Sequence, residues 1–476
     1  MPTRTTAAAA GWTGEGAALK RWLAVGLAVL LGAVALRSIR PAPAERRPNI
    51  LLILTDDQSL DTLPSSPAAM PFLQSQLADP AGHWLRFPNA VVPTPLCCPS
   101  RATLLTGRYD VHTGVRNNSE GPNLDDANTL PVWLHDAGYT TGLVGKYLND
   151  YPFARAPFIP PGWDRWFAKE NTNESTAYFD YDVVDQGGVR HYGHAPEDYA
   201  TDVLGGAAAA FLRAAPRTSP WFLYFAPNAP HAPSIPAPRY ADAFPGYLPP
   251  LASPAELNDV RGKPAYVRRR PPVGPTLRAE LQQDELLEWR SLRSVDDAIR
   301  VLFGTIRARG ELDDTVIVFL TDNGFEFGQH RLTTKRFPYE PSIGVPFAIR
   351  TPWASAATLP TLVSNLDLAS TVAALAGVEP GLPQDGISLA PLVYGRAPPP
   401  REGVWLDWGG DAQVPAWTGV RTPTFTFVRN ADGTQELYVH ATDPGELRNL
   451  ASGSDAALLE RARSTLERLA PAGAGV

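Results

Sequence analysis

Four continuous apolar runs narrow the fold of this chain more than any other feature. Residues 49–55, 140–145, 221–226 and 315–321 are each of strand length, and none alternates between apolar and polar residues. Such runs suit strands buried on both faces of a parallel sheet. Helical patterns lie between them, at about 129–138 and 197–214, with a long one at about 277–309. Strand–helix alternation at this spacing predicts a doubly wound α/β domain.

The rest of the chain sorts around that domain. Residues 22–36 are apolar, and Lys20 and Arg21 stand just before them, with Arg4 further upstream. That is the layout of a signal peptide, and Ala42-Pro43-Ala44 offers a small-residue cleavage site. Arg37 and Arg40 follow the run before any clean cleavage site, so an uncleaved membrane anchor is the competing reading. Either way residues 1–47 are expected to export the chain, secreted or held on the outer face of a membrane. An exported chain with two adjacent cysteines has no disulfide framework. The catalytic domain is expected over 48–392. Beyond it, Ala397-Pro398-Pro399-Pro400 reads as a linker inside 393–476, a smaller α+β subdomain. Its strands are expected at Val404–Trp408 and 424–429, its turn at Asp432-Gly433, and its helix at 454–469. The Pro/Gly-rich stretch 244–275 has no period and reads as a lid or binding loop, with Arg268-Arg269-Arg270 as solvated charge. A net charge of −7 is modest for this length and argues against a nucleic-acid partner.

In open α/β sheets, ligands bind beyond the carboxyl ends of the strands. Asp56 and Asp57 follow the first run, Lys146 the second, Asn228-Ala229-Pro230-His231 the third, and Asp322-Asn323 the fourth. Turn preference explains one or two of these. Two acidic pairs with a lysine and a histidine point instead to one shared site. Asp56, Asp57, Asp322 and Asn323 are oxygen ligands that suit a hard cation, Ca²⁺ or Mg²⁺. Arg101, Lys146 and Lys335 are candidates to surround a transferred anionic group with positive charge. His231 is the candidate general acid.

Both cysteines fall in residues 97–107, Cys-Cys-Pro-Ser-Arg-Ala-Thr-Leu-Leu-Thr-Gly. Pro99 suits a first helical turn and Gly107 a helix end, which puts Cys97 at a helix N-terminus, where anions bind. The string resembles the signature of the type I sulfatases. Pro48 to Gln58, Thr321-Asp322-Asn323-Gly324, Lys335 with Tyr339-Glu340, and Ala229-Pro230-His231-Ala232-Pro233 resemble further elements of that family. The tail does too, at Leu437-Tyr438, Asp443-Pro444-Gly445-Glu446 and Asn449-Leu450. The doublet Cys97-Cys98, Gly145-Lys146-Tyr147-Leu148-Asn149 and Pro160-Pro161-Gly162-Trp163-Asp164 are most similar to the N-acetylglucosamine-6-sulfatases.

The resemblance implies an alkaline-phosphatase-like fold and hydrolysis of a sulfate monoester, the substrates being sulfated carbohydrates such as glycosaminoglycan sugars. It implies that a formylglycine-generating enzyme converts Cys97 to formylglycine, whose hydrate attacks sulfur in line and then expels sulfate. Residue 97 would join Asp56, Asp57, Asp322 and Asn323 at the metal, with Lys146, Asn149, His231 and Lys335 binding substrate. One departure stands out: many sulfatases carry histidine where this chain has Leu148, and Asn149 is one candidate to replace it. Trp163, Trp166, Trp408 and Trp417 suit either a sugar platform or the core. Two other readings stay open on the sequence: a phosphonate or phosphate monoester hydrolase, and an unmodified glycan-binding homologue.

Overall fold

Each of the four apolar runs forms a strand in the computed structural model, which describes residues 47–153, 157–171, 173–453 and 455–475 with Met1 and Thr3. The leader or anchor expected at 22–36 lies outside the described residues. Among the described residues, no helix is long and apolar enough to cross a membrane.

The main sheet contains β1 (Asn49–Thr55), β2 (Trp84–Arg86), β3 (Thr140–Lys146), β4 (Arg165–Lys169), β5 (Tyr181–Asp185), β6 (Gly188–Tyr192), β7 (Trp221–Ala226), β8 (Thr315–Thr321), β9 (Phe347–Arg350) and β10 (Ala357–Thr358). Their spatial order is β10-β2-β9-β8-β1-β7-β3-β4-β5-β6. The central set β8-β1-β7-β3-β4 is wholly parallel. Antiparallel pairs flank it, β9 on one side and β5 with β6 on the other.

The absence of alternation in β1 has a direct cause. Ile50, Leu52 and Leu54 pack toward α2 (Cys97–Thr106), α3 (Leu130–Asp136) and α6 (Leu368–Ala376), while Leu51 and Ile53 face α1 (Pro71–Ala78), α4 (Ala200–Ala214) and α5 (Pro275–Ala308). Both faces are covered, so every position must be apolar. Each such side chain stabilises the fold by roughly 1.5–3 kcal/mol.

The C-terminal part holds an antiparallel sheet of β11 (Val404–Trp408), β12 (Trp417–Arg421), β13 (Phe425–Asn430) and β14 (Gln435–Val439). Helix α7 (Ala456–Leu469) packs Ala462 and Leu466 on Trp405, Phe427 and Leu437 of that sheet. The sheet is fastened to the segment that leads into Cys97: Asp407 N–H donates to Pro93 O (3.1 Å), and Thr94 Oγ1 donates to Asp407 Oδ1 (3.0 Å). The stretch 244–275 is not wholly irregular, since it carries short helices at Pro254–Asn258 and Ala265–Arg268.

Candidate active site

The site is assembled where the central parallel strands end. Helix α2 begins at Cys97, with extended Leu96 as its cap, and ends at Gly107 in the left-handed region, φ 69°. Glycine is favoured there, because a residue with a Cβ is strained in that backbone conformation. Every residue of α2 is buried, so the helix fixes Cys97 and Arg101 rigidly. An isolated parallel bridge between Asp56 and Pro230 continues the β1–β7 pairing past the strand ends. It holds the two aspartates beside the His231 loop. Asp57 takes φ 61°, a left-handed conformation uncommon for a residue with a side chain, and strain of this kind collects at functional sites. Asp322 N–H donates to Thr55 O (3.2 Å), which ties the ends of β8 and β1 together.

Cys97 Sγ lies 3.5 Å from Asp56 Oδ1 and 4.0 Å from Asp57 Oδ1. Lys335 Nζ donates to Asp57 Oδ1 (2.5 Å) and to Cys97 Sγ (2.9 Å). Lys146, the last residue of β3, donates to Asp56 Oδ2 (2.6 Å). Arg101 donates through Nε to Asp322 Oδ2 (2.8 Å) and through Nη1 to Lys146 O (3.1 Å). Three buried carboxylates are thus matched by two lysines and an arginine. Burial disfavours the charged form of Asp56, but Lys146, His231, Arg101 and Lys335 outweigh it and hold that carboxyl well below its ordinary range. Burial pushes the Cys97 thiol well up, even with Lys146 and Lys335 close by. An unmodified Cys97 is therefore a neutral thiol and a poor nucleophile.

His231 Nε2 lies 3.5 Å from Asp57 Oδ2, and its Nδ1 lies 2.7 Å from Ala232 O. A carbonyl only accepts, so Nδ1 carries a proton and Nε2 is the atom turned to the site. Tyr178 braces the loop, donating its hydroxyl to His231 O (2.6 Å).

The donor set fits a hard cation. Ligand atoms of Asp56, Asp57, Cys97 and His231 all lie within 4.8 Å of one another. Asn323 Nδ2 donates to Asp57 Oδ1 (2.7 Å), and its fully buried Oδ1 has no hydrogen-bond partner. An oxygen left in that state is what a metal ligand leaves when the metal is away.

The structure therefore brings Asp56, Asp57, Cys97, Arg101, Lys146, His231, Asp322, Asn323 and Lys335 into one cluster. Asn149 stands one residue aside, its N–H donating to Cys98 Sγ (3.0 Å). Leu148 is buried in the apolar core, as are Trp163, Trp166, Trp408 and Trp417, so none of these tryptophans is a sugar platform. Sequence reasoning missed Ser100, whose hydroxyl donates to Asp322 O, and Asn365, which donates to Ser100 Oγ (2.8 Å). It also missed Lys169, which is buried at the end of β4 and paired in register with Lys146. Its signal was available: a Trp-Phe-Ala run ends in lysine there, as the second apolar run does.

Paired acidic residues, buried cations and an activatable side chain at the strand ends are the equipment of a hydrolase for anionic esters on an alkaline-phosphatase-like fold. The family model described as Sulfatase matches residues 48–378, and one described as N-sulphoglucosamine sulphohydrolase, C-terminal, matches residues 328–470. The chain belongs to the sulfatase family, and it is a sulfuric ester hydrolase. N-acetylglucosamine-6-sulfatase of Homo sapiens is 33% identical to it over 389 residues, which is 78% of this chain and 68% of that protein. A structure of a protein in complex with its substrate D-glucosamine-2-N,6-O-disulfate matches with TM-score 0.78 at 24% identity, covering 89% of this chain and 97% of that one. The phosphonate monoester hydrolase of Agrobacterium radiobacter matches with TM-score 0.71 at 21% identity, covering 89% and 95%. At these identities the solved structures speak for the fold alone.

Proposed function

We propose that this chain hydrolyses the 6-O-sulfate ester of an amino sugar of the N-acetylglucosamine type, with residue 97 in the formylglycine form. The observation that carries the reading is Cys97 Sγ set 2.9 Å from Lys335 Nζ and 3.5 Å from Asp56 Oδ1, at the buried start of a helix. The similarity to a human N-acetylglucosamine-6-sulfatase supports the sugar class.

Asp56, Asp57, Asp322 and Asn323 would hold the cation, Ca²⁺ or Mg²⁺, together with residue 97. When bound, such an ion would supply neutralising charge at the sulfate oxygens. Formylglycine supplies a hydrate whose one hydroxyl is the nucleophile and whose other lets sulfate depart. Lys335 and Lys146 bind the sulfate oxygens and steady the charge that builds on them. Arg101 acts through the carboxylates, fixing Asp322 and lying 3.6 Å from Asp56 Oδ2. His231 delivers the proton at Nε2 to the leaving alcohol oxygen. The apolar stretch 22–36 supports export of the chain.

The test is to co-express the full chain with a formylglycine-generating enzyme. The peptide containing Cys97 is then weighed, and release of sulfate from N-acetylglucosamine 6-sulfate, an aryl sulfate and a phosphonate ester is compared. Aldehyde at position 97 with sulfate release from the sugar is the expected result. An intact thiol in an active enzyme, or a preference for the phosphonate ester, would overturn the proposal.

A further inference from the structure

As a string, Arg268-Arg269-Arg270 looks like solvated charge, yet the fold gives it company. Arg268 and Arg269 are exposed where the short helix Ala265–Arg268 ends. Arg270 is half-buried and lays its guanidinium over the Phe337 ring, 5.4 Å from the centroid. Its backbone O takes a bond from Arg331 Nη1 (3.1 Å), and Arg331 Nη2 donates to Asn258 O (3.1 Å). Four arginines thus share one patch.

The patch lacks acids to answer it. Arg261 and Arg336, close by in sequence, pair with Asp259 and Asp411. Among the described residues, Arg268, Arg269, Arg270 and Arg331 form no ion pair. Asp432 lies within reach of the charge on Arg268, but its Oδ1 already takes two bonds from Thr434 (3.0 and 2.6 Å). Arg270 Nε and Arg331 Nε are buried with no hydrogen-bond partner. Burial pushes the carboxyls of Glu326 and Glu446 up, the latter to about 8, so near neutral pH they do not cancel the patch. In a chain of net charge −7, an uncompensated positive surface is a feature that draws an anionic partner.

The patch also stands close to the site. Arg331 precedes Lys335 by four residues, so their Cα atoms are at most about 14 Å apart. That spacing is fixed. Thr333–Thr334 pairs with Glu326–Phe327, just beyond Asp322 and Asn323. His330, Arg331, Thr334 and Arg336 all take positive φ (54°, 64°, 82° and 83°), and such conformations persist only where the surroundings impose them. A sugar held by its sulfate at Lys335 would therefore have four guanidinium groups within the length of a few sugar residues. Guanidinium forks match the oxyanions of sulfate and carboxylate groups.

We infer that Arg268, Arg269, Arg270 and Arg331 form an exosite for a polyanionic glycan chain that extends from the sugar whose 6-sulfate is cleaved. The inference rests on the sulfated amino-sugar reading above, and it makes the preferred substrate an oligosaccharide rather than a free sugar. Sulfate or carboxylate groups of the neighbouring sugars meet the guanidiniums. Arg268 and Arg269 are exposed, so their contribution weakens as salt rises.

The experiment measures kcat/KM of the formylglycine-bearing enzyme on N-acetylglucosamine 6-sulfate and on a sulfated, uronate-containing oligosaccharide, release of the 6-sulfate being followed at low and high salt. 4-Nitrophenyl sulfate serves as the reference. At low salt the oligosaccharide is expected to be faster by about tenfold or more, and added salt should remove most of that advantage. Arg268→Glu made together with Arg269→Glu should remove it at low salt too. Turnover of the monosaccharide and of the aryl ester by that variant should stay within about twofold of the parent. An oligosaccharide no faster than the monosaccharide, or an advantage that survives the charge reversal, would overturn this inference and leave the sulfatase reading standing. Loss of binding to phosphatidylserine vesicles in the double variant, with the oligosaccharide advantage intact, would assign the patch to a membrane surface instead. Hydrolysis of the aryl ester with both sugars inert would overturn the amino-sugar reading, and this inference with it.

Discussion

Lys335 and Cys97 are 238 residues apart in sequence, yet the lysine ammonium donates directly to the thiol sulfur at 2.9 Å. The same nitrogen holds Asp57, so one cation spans residue 97 and a carboxylate of the proposed metal site. Replacing Lys335 with alanine removes positive charge from the place where negative charge builds. The variant is expected to lose about 10²–10³ in kcat/KM on any sulfate ester, as removal of a single oxyanion-stabilising group does elsewhere. Loss confined to KM would show that Lys335 only binds the ground state.

The two cysteines are expected to behave as opposites. Cys97→Ala should remove sulfate release altogether, down by about 10⁴-fold or more, with folding kept. Cys98→Ala should keep activity, since Cys98 packs in the apolar core against Asn149. It should cost about 1–2 kcal/mol in stability. Denaturant titrations and sulfate assays of both variants separate the roles.

If His231 protonates the leaving oxygen, its importance depends on how badly that oxygen needs a proton. His231→Ala should slow a sugar ester, whose alkoxide leaves poorly, by roughly 10²–10⁴. The same variant should slow 4-nitrophenyl sulfate by less than about tenfold, because nitrophenolate leaves unaided. Equal losses on both substrates would assign His231 to binding or metal ligation instead.

Chelation offers a fourth test. Treating the enzyme with EDTA should abolish activity and lower Tm, and Ca²⁺ should restore both, since binding to the native state alone stabilises it. Asn323→Ala should raise the Ca²⁺ concentration needed for recovery by about 10–100-fold. Recovery unchanged by that substitution would remove Asn323 from the ion's shell.

Lys169 carries a pH signature. Burial, with Lys146 nearby, lowers its pKa from the ordinary 10.5 to about 7. Between those values the unfolded chain holds one proton more than the folded one, so stability rises with pH across that window. Below pH 7 the full cost of burying the charged form is present. Lys169→Met should therefore stabilise the fold at pH 6.5 by a few kcal/mol, with the gain fading toward pH 10. Melting curves of the two proteins at pH 6.5 and 9.5 check this, and an equal shift at both would refute it.

The centre of the sheet was readable in the sequence because covering both faces forces unbroken apolar runs, as in β1, β3, β7 and β8. The edge was not. β6 is exposed over most of its length, and β5 has only two adjacent valines flanked by aspartates, so neither stands out from the turns around them. The candidate site residues were readable for a related reason: each follows a recognisable strand or sits in a distinctive string. The acidic stripe at Asp284, Glu285 and Glu288 was hidden, since charges at that spacing on a long amphipathic helix look like a solvated face. Only the packing of α5 against the Phe325–Phe327 turn reveals that two of the three are buried.

The burial of α2 sets an order of events. Cys97 has no exposed surface, and the strands that enclose it come from segments spread over nearly 300 residues. A modifying enzyme needs the thiol and its flanking backbone in extended, accessible form. The folded molecule does not offer that, so under the proposed formylglycine reading residue 97 would have to be converted before β1, β7 and β8 dock around it. On that reading, a chain that folded first would keep a sealed thiol at residue 97, and later exposure to a modifying enzyme would not rescue it.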